Sequence, residues 1–187
     1  MRLRVAGLAA WLGVASLALV PMNWSLNSGD AVVMVNRWLV VAVSVAWLVA
    51  IVLMSAHQAR FRRLASWLAA VIPCAGFALT PMVLLFAEGQ TVLFVGVTIL
   101  VAVVGVLVFA LTALWIGAFS RTAMATLAGA IVLAAVATAF TIYQQGAAQT
   151  IANIGVLAFA VGWIPVGVDA YRRAGRASTA GDPGVPG

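Results

Sequence analysis

The sequence predicts an all-α bundle of six membrane-spanning helices, and three observations carry that prediction. Of the 187 residues, 65% are hydrophobic and only 7% charged, against about 25% charged in a typical soluble domain, and the mean hydropathy is +1.17. The apolar residues fall into six runs, at 5–22, 31–54, 65–86, 92–118, 123–143 and 150–168, each close to the roughly 20 residues that a bilayer crossing requires. Short connections separate the runs, and the basic residues gather in every second connection.

The connection SAHQARFRRL, residues 55–64, holds Arg60, Arg62 and Arg63, three of the ten basic residues. Short arginine-rich connections resist translocation, so this one is expected in the cytoplasm and orients the rest. Counting crossings from it puts Arg2, Arg4, Arg121, Arg172, Arg173 and Arg176 on the same side and Asp30 and Glu88 on the other; Arg37 alone breaks the rule. The expectation is a multi-pass protein of the cell inner (plasma) membrane, N-in/C-in, with a six-helix domain over residues 1–173. Residues 174–187, rich in Gly, Ala and Pro, read as a disordered cytoplasmic tail.

The first run also fits a secretory signal, with Arg2 and Arg4 ahead of it and Ser16-Leu17-Ala18 as a cleavage site. It continues through Leu19 and Val20 past that site, which favours a retained helix. LALVPM at 17–22 recurs as FALTPM at 77–82, and Arg4, Arg63 and Arg121 stand at or just before the start of an apolar run. That pattern is consistent with three parallel-repeat helical hairpins, or with the period common to six-helix chains with short loops.

Several chemistries are excluded by what is missing. No apolar run contains Asp or Glu, there is no lysine, and His57 and Cys74 are single. A buried-carboxylate relay, a zinc or haem site and a Schiff base therefore lack their ligands, and no phosphate-binding loop or G-x-S-x-G elbow is present. Neither a metal nor a cofactor is expected. An enzyme would have to combine His57, Glu88 and Arg37 from opposite sides of the membrane. The arginines flank apolar runs instead of forming a stripe, so no nucleic acid is expected as partner; the lipid bilayer is, with a partner membrane subunit or a second copy as a further candidate.

Candidate ligand-binding residues cluster on the outer side. Arg37 stands inside the second run beside Asn36 and Trp38, either as an interfacial arginine reaching the headgroups or as a pocket residue with Glu88 as its counter-ion. Thr80 lies between Pro73 and Pro81 in a run whose prolines free backbone carbonyls. Thr138, Thr141 and Gln145 share one helical face, as do Gln149 and Asn153 one turn apart; they serve either as interhelical hydrogen bonds or as ligand contacts.

Small residues recur four apart at Ala6/Ala10, Ala125/Gly129 and Ala158/Gly162, a spacing that lets helix backbones approach closely. In its helix count and in the Ala6/Ala10 tetrad, the chain resembles the substrate-binding S components of vitamin uptake transporters. That resemblance implies an Ala-x-x-x-Ala docking face on the first helix.

The function expected is a small integral membrane transport or ligand-binding protein with an outward-facing polar cavity; the alternative is a non-catalytic structural or assembly subunit of a larger membrane complex. The topology is checked by fusing reporters after Gln58 and after Asn27. A reporter fluorescent only in the cytoplasm is expected to be bright at the first position, and a phosphatase active only outside is expected to work at the second. The opposite pattern refutes N-in/C-in.

Overall fold

The computed structural model describes the backbone of residues 2–26, 30–86, 91–143 and 148–179, with side-chain surroundings at 2–20, 33–84, 97–137, 150 and 153–176. Six helices fill these segments: α1 (Arg2–Leu26), α2 (Asp30–Gln58), α3 (Arg63–Phe86), α4 (Thr91–Ile116), α5 (Arg121–Tyr143) and α6 (Ala148–Thr179). There is no strand among the described residues. Five helices are long and apolar enough to cross a membrane, over Arg2–Val20, Val33–Gln58, Arg63–Leu84, Val97–Ile116 and Asn153–Arg176; α5 is apolar over a shorter described stretch, Arg121–Ala137. These are the helices of a multi-pass membrane protein.

Two boundaries differ from the sequence pattern. Helix α2 runs past Met54 to Gln58, because the backbone keeps bonding: Ala59 N–H donates to Ser55 O at 2.8 Å, and the amides of Phe61 and Arg62 share Gln58 O at 2.9 and 3.2 Å. Helix α6 continues beyond the expected domain limit at 173 as far as Thr179. Ala and Arg are strong helix formers, and Ala174 is buried, so the first turn of the expected tail belongs to the bundle. Residues 180–187 lie outside the described residues.

Each helix packs on its neighbour in the chain, and α6 returns to pack on α1, closing a ring. The α4–α5 seam is the thinnest of the six. In lipid the apolar side chains gain little by leaving one hydrocarbon environment for another, so close packing must hold the ring. The contacts show how. Trp47 of α2, 1% exposed, stacks on Trp163 of α6 at 5.3 Å between ring centroids and meets Phe159 and Phe77 edge-on at 5.0 and 5.7 Å. Its indole N–H donates to Ala10 O of α1 at 3.3 Å. One side chain thus touches α1, α3 and α6. The ring reaches α1 because Gly13 has no side chain there: a Cβ at that position would overlap the indole.

Helices α3 and α4 come together on the same principle. A Cβ at Gly76 would strike the backbone of Ala102, and one at Gly105 would strike Pro73. Pro73 and Pro81 both lie inside α3, and the ring edge of Pro73 fills the hollow opposite Gly105. Helix α4 ends at Gly117, whose φ of +72° is open to glycine and costly for a side-chain-bearing residue; its N–H closes on Ala113 O at 3.0 Å.

The small-residue tetrads divide. Ala6 and Ala10 are fully buried inside the ring, which corrects the docking face implied by the resemblance: they pack inside this chain, and Gly7 between them lies against Gly167 of α6. Gly162 packs on Ala130 of α5. Ala125 and Gly129 instead face outward, and a Cβ at Gly129 meets nothing.

This difference makes a paired test. Overfilling a packed site costs about 1–3 kcal/mol or more, so Gly13→Leu is expected to lower the thermal midpoint of the detergent-solubilised protein markedly, whereas Gly129→Leu leaves it within experimental scatter. Equal midpoints would refute the Trp47–Gly13 contact.

Candidate functional site

A half-open cavity of about 310 Å³ lies among the helices, and all six contribute to its lining. Leu17 comes from α1, Val40, Ser44 and Trp47 from α2, Phe77 and Thr80 from α3, Ala102 from α4, Ala134 from α5, and Val156 and Phe159 from α6. Trp47, Phe77 and Phe159, the aromatic cluster that holds the ring together, form one wall. The volume is at the lower end of the range for small-molecule sites.

The lining is apolar except at two hydroxyls, and the hydrogen of each is already donated. Ser44 donates to Val40 O and Thr80 to Gly76 O, each at 2.8 Å and each one turn back on its own helix. The polar lining expected from the sequence is therefore not found among the described residues: Thr80 does line the cavity, but with its hydroxyl turned to the backbone.

Arg37 is exposed and does not line the cavity. On α2 the inward stripe is Asn36, Val40, Val43 and Trp47, spaced at i, i+4, i+7 and i+11, and Asn36 is buried; Arg37 is turned about 100° away from Asn36. Its neighbours Met34, Val35 and Trp38 are exposed as well. From Arg37 to Gln58 the helix is about 31 Å long at 1.5 Å per residue, close to the roughly 30 Å hydrocarbon thickness. An exposed arginine beside an exposed tryptophan at that distance from Gln58 fits the interfacial alternative. Asn153 is half-buried and also outside the lining. Glu88 and Gln145 lie outside the described residues, as do the side chains of Thr138 and Thr141, so the expected Arg37–Glu88 pair does too. Asn36 is buried but is not part of the cavity lining either; that it faces inward is not evident in a helix apolar on every face.

The other end of the bundle is polar. Here the start of α1, the α2–α3 turn, the α4–α5 turn and the last turns of α6 converge. Asp169 of α6, the single acidic residue whose side-chain surroundings are described, accepts the Ser120 N–H at 2.7 Å and Arg173 Nε at 2.9 Å on the same oxygen, Oδ2. The carboxylate is mostly shielded, with 17% of the side chain exposed, and it clasps the α4–α5 turn to α6. Rings hold the remaining elements: Arg62 lies 4.5 Å over Trp115, Arg4 6.0 Å over Tyr171, and His57 contacts Phe119 at 5.7 Å. Ser55 Oγ and both amide atoms of Gln58 are buried without hydrogen-bond partners among the described residues.

No group of three or more metal-ligating side chains occurs among the described residues. Neither site brings together a nucleophile and a base. Comparison of the chain with models of protein families, with curated proteins and with solved structures finds no match.

The clasp is testable. Asp169→Asn retains an acceptor for Ser120 but loses the charge facing Arg173, and Asp169→Ala loses both. Charge-assisted hydrogen bonds contribute about 1.5–3 kcal/mol when shielded and less with exposure, so the thermal midpoint is expected to fall in the order wild type, Asn, Ala. Unchanged midpoints in both variants would refute it.

Proposed function

We propose that this is a small integral membrane ligand-binding or transport protein that holds a small, largely apolar molecule in the cavity at the centre of its helix ring. The observation that carries the reading is the cavity itself, shared by all six helices and walled by an aromatic cluster. Apolar ligand sites need few polar groups, placed for orientation, and the hydroxyls of Ser44 and Thr80 are the side-chain oxygens in the lining. With the arginine-rich end read as cytoplasmic, the cavity lies in the outward half of the bundle, and the membrane on this reading is the inner membrane of the cell.

The test follows the tryptophan fluorescence of the protein, to which Trp47 in the cavity wall contributes. A brominated hydrophobic probe added to the detergent-solubilised protein is expected to quench tryptophan fluorescence saturably. Val156→Phe, which narrows the cavity, is expected to weaken that saturation at least tenfold while the thermal midpoint stays near wild type. Non-saturable quenching, identical in both proteins, would overturn the reading.

A second reading, a structural or assembly subunit, is favoured by one observation. The Ala125/Gly129 face of α5 is turned outward with Val132, Leu133 and Val136 exposed beside it, a face on which another helix can approach closely. A protein that is monomeric by native mass after mild extraction, and that binds the probe, disfavours it.

A further inference from the structure

At the arginine-rich end the structure forms a second cavity, of about 630 Å³, lined by Arg2, His57, Arg60, Arg173 and Arg176. These five residues come from three separated parts of the chain: the start of α1, the end of α2 with its turn, and the last turns of α6. A topogenic requirement for positive charge explains why arginines lie at this end of the bundle. It does not require four of them to converge on one hollow, where like charges repel.

The other arginines of this end show what satisfied partners look like. Arg62 lies over the Trp115 ring and Arg4 over Tyr171. In the cavity, Arg173 engages Asp169 through Nε alone, one of the five N–H donors of a guanidinium. Asp169 already accepts from Ser120 as well. No other carboxylate has described surroundings, and neither Arg2 nor Arg60 has an ion-pair partner among the described residues.

We infer that this cavity binds a phosphate-bearing anion. A phosphate offers several acceptor oxygens and up to two negative charges, which suits planar guanidiniums that donate in pairs, and an imidazole has an N–H to donate in either protonation state. Basic hollows between helix ends are built to take the headgroups of anionic lipids. Leu3 and Phe61, the latter strongly exposed, also line the cavity and provide apolar surface beside the charges, as a lipid's glycerol and upper acyl region require. The same guanidiniums would receive a soluble diphosphate. The site is separate from the central apolar cavity and does not depend on the function proposed for it.

The experiment uses the full chain in a neutral detergent, where any change of membrane orientation caused by removing arginines has no influence. Two probes are titrated and followed by native mass spectrometry and thermal midpoint: phosphatidylglycerol, with phosphatidylcholine as the uncharged-headgroup control, and inorganic pyrophosphate. The wild type is expected to retain phosphatidylglycerol over phosphatidylcholine at least fivefold. The double variant Arg2→Gln/Arg60→Gln loses that preference, and Arg121→Gln, an exposed arginine of the same end outside the cavity, keeps it. If pyrophosphate binds in the same arginine-dependent way and the lipid does not, the phosphate comes from a soluble molecule and the site stands. Should neither probe bind, or should Arg121→Gln reduce binding as much as the double variant does, the inference falls. If the double variant proves too unstable to purify, Arg60→Gln alone is measured, and an affinity equal to wild type overturns the site.

Discussion

The packing of Trp47 is the contact on which the ring depends. A membrane bundle gains little from the hydrophobic effect between its helices, since lipid is as apolar as leucine. Dispersion between fitted surfaces must supply the difference, and it falls off steeply with any gap. Trp47 provides the largest fitted surface at the centre: it reaches α6 through Trp163 and Phe159, α3 through Phe77, and α1 through Ala10 O and the hollow at Gly13. Aromatic pairs of this kind contribute about 0.5–1.5 kcal/mol each beyond area, so three around one indole are a large share of a marginal stability. The same cluster walls the central cavity. Closing the ring and shaping the central cavity are thus one packing problem.

Polarity then divides the molecule along its length. The arginine-rich end is tied by directional interactions, with Asp169 joining the α4–α5 turn to α6 and the rings of Trp115 and Tyr171 receiving Arg62 and Arg4. Directional bonds suit a membrane boundary, where water and headgroups compete and packing is interrupted. The interior below is held by shape: Gly76 on Ala102, Gly105 on Pro73. The thin α4–α5 seam is bridged at its end by the Asp169 clasp, which therefore matters more than one ion pair at a surface ordinarily would.

The two cavities follow that division. The central one is lined by apolar groups and by two hydroxyls that donate within their own helices, so what it offers is shape and apolar surface. The one at the arginine-rich end collects charge from segments far apart in sequence. Core residues such as Met54, Phe109, Met124 and Leu127 are fully buried and pack the interior of the bundle. The bundle thus holds two chemically unlike cavities, one lined by apolar side chains and one by arginines.

Helix number and approximate span were legible in the chain, because runs of apolar residues near bilayer length have one stable form in lipid, in which every backbone group must bond within its own helix. The common end shared by the arginines was legible too, since alternating connections return every second helix end to the same side. Which face of each helix turns inward was not. In a helix apolar all round, Arg37 and Asn36 differ only by one residue step, and only the packing of Val40, Val43 and Trp47 decides that Asn36 is inside and Arg37 outside. Thr80 lines the cavity, and its hydroxyl hydrogen goes to Gly76 O of its own helix, a local bond that the sequence pattern does not reveal. The convergence of Arg2, Arg60 and Arg176 on one hollow was likewise decided by the return of α6 onto α1, a contact between the two ends of the chain. Composition determines that a segment enters the membrane; the rotation of each helix about its axis is determined by fitted contacts among distant residues, and both candidate sites arise from that rotation.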